Sequence, residues 1–129
     1  MSVKWIKVLF VIAGISDLFV GAAFFFASNQ IFRLTGVIPP NHPCFVQFPS
    51  SLIAIFGALF LHIAADPAGR RDLIPYVTCF KISVWALVFV YQLTIGIAAL
   101  WVPLAWIDVV YTILFLLAWR SLAPAVKAA

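Results

Sequence analysis

Three ionisable residues stand where ionisable residues are costly. Asp17, Lys81 and Asp108 each interrupt a long apolar stretch. At mid-bilayer such a group costs about 2.5–3.5 kcal/mol on insertion scales, so each calls for a partner, a proton or water. One lysine with two carboxylates makes one or two ion pairs. The default role of such a cluster is to hold helices together and fix their register. The same three groups can also bind a polar ligand head or pass protons. A third option is that the long Lys81 side chain snorkels to the membrane surface.

Spacing along the chain supports a cluster. Asp17 lies ~15 Å beyond Lys7, Lys81 ~13 Å beyond Asp72, and Asp108 ~18 Å before Arg120 at the helical rise. All three fall near one level. Asp17 shares a helical face with Ala13, Gly14 and Gly21, small residues that favour close helix packing. Lys81 shares a stripe with Trp85, Val88 and Gln92, and Asp108 a face with Tyr111 and Thr112. Ser50, Ala54, Ala58 and His62 recur every four residues and give a further packing face. The expected intramembrane polar cluster is therefore Asp17, Lys81, Asp108, Gln92, Tyr111, Thr112 and His62, with Lys81 bridging one carboxylate or both.

The elements that must position these groups follow from hydropathy. Of 129 residues, 66% are hydrophobic and 9% charged, against about 25% charged in soluble domains. Mean hydropathy is +1.17. The fold class is all-α, a single-domain integral membrane four-helix bundle of antiparallel up-down helices. Spans of ~20 apolar residues are expected over residues 6–26, 48–65, 74–98 and 103–119, with a long outer loop over 27–47. The charged start, Lys4 and Lys7 before an apolar run, has the look of a secretory leader. Asp17 breaks that run and the run continues to Phe26, so a first span is expected instead. Pro49 and Pro75 sit in first turns, where proline is tolerated, and Asp72 is expected to cap the third helix. Within the long loop, Ser28, Gln30, Ile31, Phe32 and Leu34 fit a short interfacial helix.

Lys4, Lys7, Arg70, Arg71, Arg120 and Lys127 fall on one side of an even number of spans, and Arg33 alone on the other. The positive-inside rule places both termini in the cytoplasm of an inner (plasma) membrane protein. Trp5 and Trp119 then mark the inner interface, Trp101 and Trp106 the outer. Cys44 and Cys79 lie on opposite sides of the bilayer centre, too far apart for a disulfide.

Other chemistry is thin. His62 near the inner interface and His42 in the outer loop cannot share a heme, so no two-histidine heme is expected. His42 and Cys44 in Asn41-His42-Pro43-Cys44 are two ligand types without further companions, and no metal is expected. There is no Ser-His-Asp arrangement, phosphate-cradling glycine loop or Cys-x-x-Cys, no glutamate at all and only four aspartates. No catalytic residues are identified, and a non-enzyme is expected. No basic run points to nucleic acid.

The four spans, the long first loop, the Asp66-Pro67-x-x-Arg70 turn and the charged residue in the fourth span resemble DoxX-like small bacterial membrane proteins. That resemblance implies a respiratory or redox-associated accessory role, with quinone-coupled chemistry among the family's associations. The leading expectation is an accessory or structural subunit of a larger membrane complex, whose partners are the bilayer, other membrane subunits or a second copy. Two alternatives stay open. One is a quinone- or lipid-binding protein with a redox role, quinone being the cofactor to look for. The other is a small homo-oligomeric carrier or channel that uses the charged cluster.

Overall fold

A computed structural model describes residues 1–124, so Lys127 lies outside the described residues. Four helices follow in order: α1 (Val3–Thr35), α2 (Cys44–Ala65), α3 (Ile74–Leu93) and α4 (Trp101–Ser121), with a short turn of 3-10 helix at Arg71–Leu73 before α3. All four are long and apolar enough to cross a membrane. The described residues are thus those of an all-helical, multi-pass membrane protein. A helix can satisfy its backbone polar groups internally, as a span in hydrocarbon requires.

The helices are longer or shorter than hydropathy indicates, for identifiable reasons. α1 runs 33 residues, ~50 Å at the helical rise, and bends at Ala27, whose φ of −127° and ψ of 20° leave the helical region. The segment expected as a separate interfacial helix is the continuation of α1 past this bend. It ends at Gly36, which takes a left-handed φ of 69°, a conformation glycine adopts without steric cost. α2 begins at Cys44 rather than Phe48, so Pro49 lies inside the helix and not in its first turn. There His42 Nδ1 accepts the Cys44 backbone N–H at 3.1 Å. α3 stops at Leu93, short of residue 98. Gly96 at φ 85° returns its N–H to the Tyr91 carbonyl at 2.7 Å and turns the chain. The apolar run continues past this stop, which is why hydropathy overshoots it.

The turn between α2 and α3 is also built differently from expectation. Asp72 is exposed and caps nothing, α3 having no side-chain cap. Asp66 does the local work by accepting the Gly69 N–H at 3.1 Å. Arg70 donates to the His62 carbonyl at 2.8 Å. Arg71 donates to the carbonyls of Trp119 and Leu122 at 3.1 and 2.7 Å and lies 4.4 Å over the Trp119 ring. A cation on the unpaired carbonyls at a helix C-terminus is favourable. The Met1 amino group donates to Ser121 Oγ at 3.1 Å. The chain start, the 66–73 turn and the end of α4 therefore meet at one end of the bundle, here the terminal end. The other end, bounded by residues 36–43 and 94–100, is the loop end.

α1 packs chiefly on α2, and α3 on α4. The first pair is close because glycines allow it. A Cβ on Gly14 would come within 2.8 Å of the Gly57 carbonyl, and one on Gly21 within 2.7 Å of the Ser50 carbonyl. The small stripe of α2 is therefore Ser50, Ala54 and Gly57. Ala58 and His62, expected to continue it, are exposed. A spacing of four rotates by about 40° per step, so about 120° accumulates from Ser50 to His62, whereas a spacing of seven nearly closes. The two pairs join around a core at the terminal end, where Phe10, Phe60, Phe115, Ile6, Ile63, Ile74 and Val77 are fully buried. Phe10 stacks on Phe115 at 4.5 Å, and Phe60 meets Phe115 edge-on at 5.3 Å.

Candidate functional site: a cavity floored by an ion triad

The core ends at a layer of charge. Lys81 Nζ donates to both carboxylate oxygens of Asp17, at 2.9 and 2.8 Å, and lies 2.8 Å from Asp108 Oδ1. Lys81 thus bridges both carboxylates and does not snorkel. Each member comes from a different helix, α1, α3 and α4. The triad therefore ties the two helix pairs together across their weakest seam. All three side chains are nearly withdrawn from the surface, with Lys81 only 3% exposed.

Aromatic rings complete the lysine's surroundings. Its ammonium lies 5.4 Å from the Phe60 ring centre, 5.5 Å from Phe80 and 5.3 Å from Tyr111. Cation–π attraction adds to the ion pairs, more so when water is excluded. Phe80 is itself stacked on Phe56 of α2 at 4.0 Å. Tyr111 reaches α1, its hydroxyl 3.5 Å from Ser16 Oγ. Trp85 donates to Thr112 Oγ1 at 3.1 Å, and Thr112 in turn donates to the Asp108 carbonyl at 2.8 Å. The Asp108 backbone is held in place through this chain.

Above the triad, toward the loop end, the helix pairs separate around a cavity of about 540 Å³. Asp17, Lys81 and Asp108 are part of its lining. Its walls are Val20 and Phe24 of α1, Val46 and Ile53 of α2, Val84 and Val88 of α3, and Leu104 and Ile107 of α4. The roof is Phe32, Val37, Ile38 and Pro40, carried by the segment beyond the α1 bend, together with Trp101. Phe24 stacks on Trp101 at 5.5 Å, and Phe32 meets Trp101 edge-on at 6.5 Å. The bend at Ala27 thus folds an aromatic side chain over the space, and Phe32 is buried by it. The loop end also explains Trp101, which is half-buried in this cluster, whereas Trp106 is exposed.

The sequence-expected residues divide cleanly. Asp17, Lys81 and Asp108 meet, with Tyr111 and Thr112 against them. Gln92 and His62 do not join; both are exposed. Gln92 sits in the last turn of α3, ~16 Å beyond Lys81 at the helical rise, where no helix covers it. Sequence reasoning missed Ser16, Phe60 and Phe80 as neighbours of the triad. Ser16 carried a usable signal, being a polar residue next to Asp17 within an apolar span. The two phenylalanines carried none, because 13 phenylalanines share the chain.

Among the described residues, no group of three or more His, Cys, Asp or Glu side chains is placed to hold a metal ion. Both cysteines are exposed free thiols. The chemistry available at the site is therefore that of fixed charge, hydrogen-bond acceptors and apolar walls. Comparison of this chain with protein-family models, with curated proteins and with solved structures gives no match.

Proposed function

We propose that the chain is an inner (plasma) membrane protein that binds a small amphipathic molecule in the loop-end cavity, its polar head on the ion triad and its apolar body among the helices. The observation that carries this reading is the cavity of about 540 Å³ whose apolar walls end on three charged side chains. Ligand sites are typically apolar clefts of about 300–1,000 Å³ with a few placed polar groups. Charges inside a span commonly mark such sites. Among the expectations from sequence, lipid or quinone binding is favoured over a structural subunit and over a carrier. Exposed apolar side chains occur on all four helices, Phe19, Ile55, Leu87 and Ile113 among them, as lipid alone requires. A DoxX-like affiliation, with its redox associations, belongs to the same proposal.

The orientation proposed is antiparallel and up-down, with both termini cytoplasmic and the cavity in the outer half of the bilayer. Lys4, Lys7, Arg70, Arg71 and Arg120 lie toward the terminal end and Arg33 toward the loop end, the charge bias that favours it. A phosphatase reporter fused to the C-terminus should be silent and a fluorescent one bright; an active phosphatase overturns this orientation.

Binding is tested by filling the space. Val84→Trp adds an indole to the cavity wall and leaves the three triad residues unsubstituted. Native protein purified in mild detergent should release a stoichiometric small molecule on organic extraction, and the Val84→Trp variant should release less. Identical extracts from the two, with no molecule in stoichiometric amount, would refute binding in the cavity.

A further inference from the structure

Resting on that binding reading, we propose that the head group of the ligand is a protonated amine on an apolar body. The inference comes from counting donors and charges at the cavity floor. An ammonium has three N–H donors and no acceptor. Lys81 donates to both oxygens of Asp17 and is paired with Asp108 Oδ1 at 2.8 Å. The ammonium is thus engaged by both carboxylates, and Lys81 is only 3% exposed. Asp108 Oδ2, in contrast, has no hydrogen-bond partner among the described residues, and Asp108 lines the cavity. The serines at the floor are committed as well: Ser16 donates to the Ile12 carbonyl at 2.8 Å and Ser50 to the Val46 carbonyl at 2.6 Å. Each can only accept from a ligand. The floor therefore asks for a donor.

Charge points the same way. Two carboxylates face one ammonium, and an unmatched charge at this depth is costly. A ligand ammonium on Asp108 makes the count two against two, with a charge-assisted hydrogen bond of the stronger kind. Phe24, Phe80 and Trp101 line the remaining space, and aromatic faces favour an ammonium and its apolar substituents alike. A proton on Asp108 would balance the charge instead. It would turn Asp108 into a donor and the floor into a site for a quinone carbonyl. The two cases predict opposite ligand preferences.

The test uses three probes sharing one body: phenylbutylamine, phenylbutanol and phenylbutyl-benzoquinone. Each is titrated calorimetrically at neutral pH into the full chain in mild detergent, native and as Asp108→Asn and Val84→Trp. The amine should bind about tenfold or more tightly than the alcohol and the quinone, as a hydrogen bond to a charged group warrants. Asp108→Asn, which keeps the side chain's shape, should abolish that advantage, and Val84→Trp should weaken all three. A quinone or alcohol that equals the amine, and is lost in Val84→Trp, overturns the amine assignment while binding in the cavity stands. Probes that bind Val84→Trp as they bind the native chain overturn both. If Asp108→Asn does not fold, the ranking of the three probes on the native chain decides alone.

Discussion

Lys81→Met is expected to lower the unfolding free energy of the bundle by about 3–5 kcal/mol, the usual consequence of removing one partner from a buried ion pair. The methionine fills much the same volume, so the loss arises from two carboxylates left facing each other without a cation. The geometry also predicts how the loss is recovered. Asp17 accepts from Lys81 at both oxygens, 2.9 and 2.8 Å away, so its whole carboxylate is stranded. Asp108 has one oxygen on Lys81, and among the described residues the other has no hydrogen-bond partner. In the Lys81→Met background, Asp17→Asn should therefore recover more than Asp108→Asn. Alone, Asp108→Asn should cost less than Asp17→Asn, since it leaves one carboxylate for one ammonium. Unfolding by a denaturing detergent, followed by loss of helicity, measures all five variants. Strictly additive losses in both double mutants would mean that the triad is not an energetic unit.

The second large effect is expected at Gly57. A single added methyl there would stand 2.7 Å from the Leu18 backbone nitrogen and 2.8 Å from the Gly14 carbonyl. Both neighbours are backbone, so neither can rotate away. Gly57→Ala should cost about 1–3 kcal/mol as overpacking, and Gly57→Leu should separate α1 from α2. Ala58→Leu, one residue on, places its larger side chain on an exposed face and should be close to neutral. The same denaturation assay compares the three. Equal sensitivity at Gly57 and Ala58 would show that the α1–α2 contact is not the close one described.

Neighbouring Gly57 and Ala58 also show where sequence reading reaches its limit. Four helices were legible because unbroken apolar length depends on composition alone. Asp17, Lys81 and Asp108 were legible because charge in such stretches is conspicuous and the helical rise converts residue counts into depth. Which small residue faces a neighbour depends on accumulated rotation, and a stripe drawn at intervals of four drifts off the contact by Ala58. Helix ends were misplaced where a backbone conformation, Gly96 or the Ala27 bend, acts within apolar sequence. His62 and Gln92 were assigned to the cluster by polarity, yet polarity alone cannot distinguish an interior position from the rim. The cavity's apolar lining was not legible. It is a property of side chains that fail to meet, and Val84, Val88 and Leu104 read in sequence like any other lipid-depth residues.

The ties between the two helix pairs are unevenly distributed along the bundle. Met1 on Ser121 and the Phe10–Phe60–Phe115 stack lie at or toward the terminal end, the triad follows, and past the hollow the pairs meet through Phe24 and Phe32 on Trp101. Mechanically this is a pair of tweezers with its fulcrum at the joined end. A small rotation of one pair about that fulcrum is multiplied by the lever arm at the tips, where Phe24, Phe32 and Trp101 close the gap, while the distances within the aromatic stack hardly change. The triad, close to the pivot, is the point at which something held at the tips' root would feel the grip.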